Sequence, residues 1–200
     1  MVEPEKIESD KANGRILKMT ALDPEEAESA IRNVPDTVRA FVMEVKAGPG
    51  SWTSGDAVAR LSESVRGLEA PLILLATGGG RFSADLSEAF DLCFFDEKVI
   101  LVTPKGDLTA SEAESRGLVN LAASSEEARR AAYEAANSIA SLAPLAVRVA
   151  KRAVRNGSAG ALRQRMDLEN RLFRELFATR DMREGTMAFL EKRVPDFRGE

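Results

Sequence analysis

The sequence predicts an α/β fold: a core of mainly parallel strands followed by a helical C-terminal region. Three observations predict it. Strand-like segments alternate with helix-like segments up to about residue 120, as strand–helix–strand units do. The segment PLILLA at 71–76 is apolar without a break, which suits a strand buried on both faces. From Ser124 onward the pattern is helical almost throughout. The expected organisation is therefore an α/β core over residues 1–120 and a helical region over residues 121–200.

Each element has its own signal. Residues 1–14 are polar and predict a frayed start, and RILKMTAL at 15–22 reads as a strand. Asp23-Pro24-Glu25-Glu26 is a helix start: Asp23 caps, Pro24 suits the first helical position and Glu26 closes a capping box. That helix stops before Pro35. RAFVMEVK at 39–46 is rich in Phe and Val and reads as a strand. Ala47-Gly48-Pro49-Gly50 is then a turn. Residues 57–68 are helical, with Val58, Leu61, Val65 and Leu68 on one face. Thr77-Gly78-Gly79-Gly80 breaks the PLILLA strand. A short helix is expected over 84–90 and strands over 92–95 and 99–102. Thr109 and Glu112 form a capping box for a helix that ends at Gly117, where a glycine suits the left-handed position. Leu118 to Asn120 is a brief strand or a turn. Ser124 and Glu127 form another capping box, Pro144 breaks the long helix, and Asn156-Gly157 ends it. A third helical run covers 162–179, and Asp181 with Glu184 is expected to cap the last helix, which runs to about Arg193.

Composition narrows the chemistry. At 200 residues the chain buries roughly 70% of its unfolded surface on folding, so its core needs no disulfide or metal. The net charge of −4 argues against a general nucleic-acid surface. Cys93 is the sole cysteine, which rules out an internal disulfide and a cysteine-based zinc site. It follows an apolar run and reads as a small buried hydrophobe. With no histidine in the sequence, there is no Ser-His-Asp triad, Cys-His pair or HExxH zinc site. Acid–base work falls to Asp, Glu, Lys, Tyr133 or bound water. The charged start MVEPEKIESDKANGR has no apolar core of a signal peptide. No apolar run approaches the roughly 20 residues of a membrane helix. A cytoplasmic protein, with no membrane or nucleic-acid partner, is the expectation.

Two loops carry the candidate chemistry. GPGSWTSGD follows the first strong strand, and TGGGRFSAD follows the second. In an open parallel sheet, ligands bind outside the carboxyl ends of the strands. Each loop leads into a helix, whose first backbone N–H groups lack partners within the helix. Two such N–H groups aimed at one point polarise a carbonyl oxygen as an oxyanion hole does. The plain alternative is two ordinary glycine-rich connections. TGGGR also suggests a phosphate cradle, but it matches neither the Walker pattern nor GxGxxG.

Longer motifs add a resemblance. LFRELFATRDMREG at 172–185, continued by MAFLEKRVPDF at 187–197, resembles the C-terminus of the enoyl-CoA hydratase/isomerase (crotonase) family. ASEAESRGLVN at 110–120, APLAVRVAK at 143–151 and residues 39–61 resemble further segments of that family. The likeness spans most of residues 30–199. It implies a crotonase-like fold, related to ClpP, and binding of an acyl-CoA thioester, with no cofactor beyond the CoA of the substrate. It implies that two backbone N–H groups hold an enolate-type oxyanion. On the first loop Gly55 falls on the family glycine and Asp56 on the residue whose N–H donates. On the second, DLSEAFD at 85–91 places Asp85 where hydratases carry a catalytic glutamate, and Phe82 on the second donor. Trp52 matches a family aromatic. Lys151, Phe189 and Lys192 match positions that meet CoA.

The sequence also departs from the family. Arg81-Phe82-Ser83 replaces the usual glycines. Asp91 to Lys98 runs almost directly into Val99 to Pro104, so several dozen residues of the family pattern are absent, and with them the second catalytic glutamate. Glu88 and Glu97 are the nearest further carboxylates along the chain, and Glu88 reads as a solvated helix residue. Asp85 reads either as an acid/base or as a first-turn carboxylate favoured by the helix dipole. Asp56 reads as a helix N-cap or as a carboxylate that acts itself. Trp52 also reads as packing. Arg148, Lys151, Arg152 and Arg155 form a helical stripe that is either a solvated face or a contact for CoA phosphates. Phe189 and Lys192 also read as a packed Phe and a surface Lys.

Together these readings predict an acyl-CoA-binding lyase or isomerase of fatty-acid type, acting through the N–H groups of Asp56 and Phe82 and through Asp85. Resemblance implies a homotrimer or a hexamer. The alternative is a catalytically inactive crotonase-like partner, a hetero-subunit that keeps the assembly surface and lacks the second glutamate.

Overall fold

A computed structural model describes residues 7–9, 16–46, 52–157 and 162–200. The expected turn at 47–50 and nearly all of the polar stretch at 1–14 lie outside the described residues. The chain divides into two compact units, Met1–Asn137 and Ser138–Glu200. The division expected after residue 120 falls inside the first unit.

The first unit opens with β1 (Ile7–Ser9) and β2 (Ile16–Ala21), which pair antiparallel. Helix α1 (Pro24–Ile31) follows. Asp23 caps it by accepting the Glu26 N–H at 2.8 Å. The Glu26 carboxylate reaches back one residue beyond the cap and accepts the Leu22 N–H at 2.8 Å. Strand β3 (Ala40–Lys46), helix α2 (Asp56–Gly67) and strand β4 (Leu72–Thr77) come next. The second loop then holds a strand, β5 (Arg81–Ser83), and the short helix α3 (Ala84–Ser87). Strands β6 (Leu92–Asp96), β7 (Ile100–Thr103) and β8 (Gly106–Thr109) lead into α4 (Ala110–Ser115). The Thr109–Glu112 capping box forms in both directions, and Gly117 takes φ 72° after the helix. Strand β9 (Leu121–Ala123) and helix α5 (Ser125–Ser141) follow, with Ser124 Oγ accepting the Glu127 N–H.

The main sheet runs β1-β2-β3-β4-β6-β9, and every pair in it after the first is parallel. A second sheet runs β5-β7-β8. Strand β4 is buried along its whole length, as its unbroken apolar run predicts. Side chains alternate between the faces of a strand. Phe41, Met43 and Val45 of β3 and Leu72, Leu74 and Ala76 of β4 join Leu61 and Val65 of α2 in one apolar cluster. The other face of β3 presents Glu44, met there by Arg129 of α5. Ala128, Ala132 and Ala136, spaced four apart on α5, are fully buried.

The second unit is helical: α6 (Pro144–Gly157), α7 (Leu162–Leu176) and α8 (Arg180–Glu191). Pro144 opens α6 at the position where its missing N–H is harmless. The expected cap of the last helix is corrected. Thr179 is the N-cap and accepts the Met182 N–H at 3.1 Å. Asp181 is buried inside the first turn and accepts the Arg198 and Gly199 N–H groups at 2.7 and 2.8 Å. Glu184 accepts from Arg193 at 2.5 and 2.9 Å.

Candidate functional site

In the first unit, the two loops singled out from sequence end side by side at the starts of α2 and α3. A cleft of about 460 Å³ lies between these helices, and Ser54, Gly55, Glu63, Arg66, Ser83 and Asp85 are among its lining residues. Gly55 is the N-cap of α2 with φ 110°, a conformation glycine adopts without strain. A Cβ there would touch nothing within 4 Å, so the backbone angle, not crowding, selects glycine. Asp56 is not the cap; it is the first helical residue and is exposed. No side chain caps α2. Its first N–H groups are therefore left without helical partners at the cleft end. Val58, Leu61 and Val65 hold the helix by burial, at roughly 1.5–3 kcal/mol each. That outweighs the ~1 kcal/mol a side-chain cap contributes.

Helix α3 is positioned differently. Ser83 caps it, its Oγ accepting the Leu86 N–H at 3.4 Å. Asp85 stands exposed in the first turn. Arg66 of α2 donates to the Asp85 carbonyl at 3.4 Å.

Phe82 is placed otherwise than the two-donor reading requires. It sits in β5, bridged to Trp52 on one side and paired with Leu101 of β7 on the other. The Ser83 N–H donates to the Trp52 carbonyl at 2.8 Å. Successive N–H groups of a strand point to opposite edges, so that of Phe82 faces β7 inside the ladder. Its side chain is fully buried, stacked on Trp52 with centroids 5.8 Å apart and edge-on to Phe95 at 5.8 Å. Trp52 is fully buried too, so it packs the core and does not line the cleft. Glycines at 81–83 would leave this space open; the bulky residues close it by forming strand β5, where the sequence pattern shows only a loop.

Buried polar groups outside the cleft escaped the sequence reading. Glu44, deep in β3, is forked by Arg129, with Nη2 to Oε1 at 2.6 Å, and the Thr77 hydroxyl donates to it at 3.4 Å. Glu44 holds the Arg129 guanidinium above its ordinary range. At the end of β6, burial pushes Asp96 up, but the Ser125 hydroxyl and the Lys98 N–H hold it below the usual carboxylate range. The only advance signal was a charged residue inside an otherwise apolar strand. Cys93 is buried, and burial first, then the charge of Asp91, pushes its thiol up to about 12.

In the second unit, Arg148, Lys151 and Arg155 of α6 are half-buried and engaged with other groups, and Arg152 is exposed. Phe189 is 82% exposed and edges an apolar groove of about 480 Å³ with Phe173, Phe177 and Met182. Lys192 is the exposed, left-handed C-cap of α8. Among the described residues no helix is long and apolar enough to cross a membrane.

A sequence model of the enoyl-CoA hydratase/isomerase family matches residues 97–200, more than half of the chain. The chain belongs to that family. The family match begins just after the cleft-forming segments, so the residues that line the cleft lie outside the matched range. A 2,3-dehydroadipyl-CoA hydratase of Escherichia coli (strain K12) is 40% identical over 92 residues, 46% of this chain and 36% of that protein. A probable mitochondrial enoyl-CoA hydratase of Dictyostelium discoideum is 41% identical over 95 residues, 48% of this chain and 34% of that protein. The chain spans about a third of the length of these curated relatives. The crystal structure of an enoyl-CoA hydratase from Bacillus anthracis superposes with a TM-score of 0.81 over 98% of this chain and 100% of that one. At 23% identity, this likeness shows that the enoyl-CoA hydratase/isomerase fold is kept.

Proposed function

We propose that the protein binds an acyl-CoA thioester and performs enoyl-CoA hydratase/isomerase-type chemistry in the cleft between α2 and α3. The observation that carries this reading is the uncapped start of α2 facing the cleft that Asp85 lines. The thioester oxygen accepts from the Asp56 N–H, and the positive end of α2 favours the negative charge that develops on it. Asp85 moves the proton at the α carbon. No cofactor beyond the CoA of the substrate takes part. The resemblance makes the stripe Arg148, Lys151, Arg152 and Arg155 of α6 the candidates for CoA phosphates, and Phe189 and Lys192 of the helical unit the candidates for its adenine. The exposed apolar groove of the helical unit supports assembly as a homotrimer or hexamer, and the site of action is the cytoplasm.

With Phe82 held in the β5–β7 ladder, the hole works with one of its two expected donors. Loss of one such donor typically slows catalysis about 100- to 1000-fold, so a slow enzyme is expected. The same observation favours a second reading, a catalytically inactive partner subunit that binds another member of the family.

Calorimetric titration with CoA, acetyl-CoA and crotonyl-CoA, followed by a turnover assay on wild type and Asp85→Asn, separates the two. Binding with turnover that Asp85→Asn abolishes supports the enzyme. Absence of binding to all three sinks it and leaves the partner subunit.

A further inference from the structure

Addition of water to an enoyl thioester needs a base for the water and an acid for the α carbon. Asp85 alone does not fill both roles at once. Of the carboxylates near it in sequence, Glu88 and Glu97 do not line the cleft. Glu63 does, and it comes from the opposite wall. The N-cap Gly55 and Ala59, Ser62, Glu63 and Arg66 of α2 all line the cleft, which is the spacing of one helix face. Val58 also borders the cleft at its inner edge, while Leu61 and Val65 are buried away from it and anchor the helix. Glu63 is exposed into the space that Asp85 enters from α3. Arg66, one turn beyond Glu63, reaches the Asp85 carbonyl and ties the two walls together.

We propose that Glu63 is the second carboxylate of this cleft and makes the reaction a hydration. The proposal rests on the acyl-CoA reading given above. One carboxylate takes a proton from water as the water oxygen bonds to the β carbon. The C=C electron pair shifts to the α carbon and the thioester oxygen, giving the enolate held at the Asp56 N–H. The other carboxyl, protonated, then delivers its proton to the α carbon as the C=O bond re-forms. The net change is one water added, and proton exchange with solvent restores both carboxyl groups.

The test measures crotonyl-CoA hydration and crotonyl-CoA affinity for wild type, Glu63→Gln, Glu63→Asp and Asp85→Asn, with melting curves to confirm folding. The expected result is a fall in kcat of about 100-fold or more for Glu63→Gln. KM and calorimetric affinity should hold within a few-fold, and Glu63→Asp should recover part of the rate. Hydration by Glu63→Gln at the wild-type rate, with Asp85→Asn inactive, overturns the role of Glu63 and leaves the function reading standing. A wild type that neither binds nor hydrates any thioester overturns both.

Discussion

The aromatic residues of the two units are used in opposite ways. In the first, Trp52, Phe82 and Phe95 are fully buried and packed on one another. In the second, Phe173, Phe177 and Phe189 stand more than half exposed around a groove. One residue type thus closes an interior in one unit and leaves an apolar face in the other. The difference bears on function. Where the family pattern has glycines, the first unit fills the space with packing. The helical unit leaves Phe173, Phe177, Phe189 and Leu190 more than half exposed, and its sequence lies wholly within the range that the family model matches. Large exposed apolar patches of this kind mark interaction sites.

The sharpest way to break that comparison is to truncate one aromatic on each side. Phe82→Ala removes a fully buried ring with two aromatic neighbours, and a loss of about 3–5 kcal/mol in unfolding free energy is expected by denaturant titration. Phe189→Ala removes a ring that is 82% exposed and should shift stability by no more than about 0.5 kcal/mol. Its effect should appear instead in sedimentation, as a smaller assembly. Equal losses from the two variants would erase the contrast.

The next largest effect concerns Glu44. Arg129→Ala strands a buried carboxylate on the sheet face under α5. Breaking a buried pair costs roughly 3–5 kcal/mol. Because Arg129 is 40% exposed, the lower end, about 3 kcal/mol, is expected from urea unfolding. A double variant, Glu44→Leu with Arg129→Ala, should recover most of it. In the helical unit the counterpart is Asp181→Ala, which leaves the Arg198 and Gly199 N–H groups without their acceptor. These lie near the surface, so about 1–2 kcal/mol is expected. Faster proteolysis of residues 194–200 would confirm that the carboxylate pins that segment.

Much of the fold was legible because its signals are local or periodic. PLILLA could be only a buried strand or a buried helix, and its length decided. Thr109 with Glu112, and Asp23 with Pro24, announce helix starts by their own hydrogen-bonding capacity. The strands that were missed, β1, β5, β8 and β9, are three or four residues long, and β5 and β9 owe their pairing to strands about 20 to 27 residues away in the chain. No periodicity reveals a strand that short. At the site, Asp85 and Gly55 were found through resemblance, and the structure brings both to one cleft. Glu63 was invisible, because a Glu on a polar helix face is ordinary until a second wall stands across from it. Phe82 was assigned by register alone, and register carries no information on which edge of a strand an N–H faces.

The smallest effect is a pH dependence that separates the units. Hydrogen bonds from Arg193, then the Asp196 N–H, hold the Glu184 carboxyl down from 4.5 to about 2. A carboxyl whose folded pKa is lowered binds protons more readily in the unfolded chain. Its contribution to stability is therefore complete above about pH 4.5 and is lost as pH falls toward 2. The group is open to solvent, so the loss should be modest and weakened by salt. Thermal melting of wild type and Glu184→Gln from pH 6 down to pH 2 measures it. The two curves should differ at pH 6 and converge as pH approaches 2, with the gap narrowing in high salt. A gap that stays constant across this range would mean that Glu184 holds α8 to residues 193–196 by shape and not by charge, and the contrast between a packed first unit and a surface-tied second unit would lose its electrostatic half.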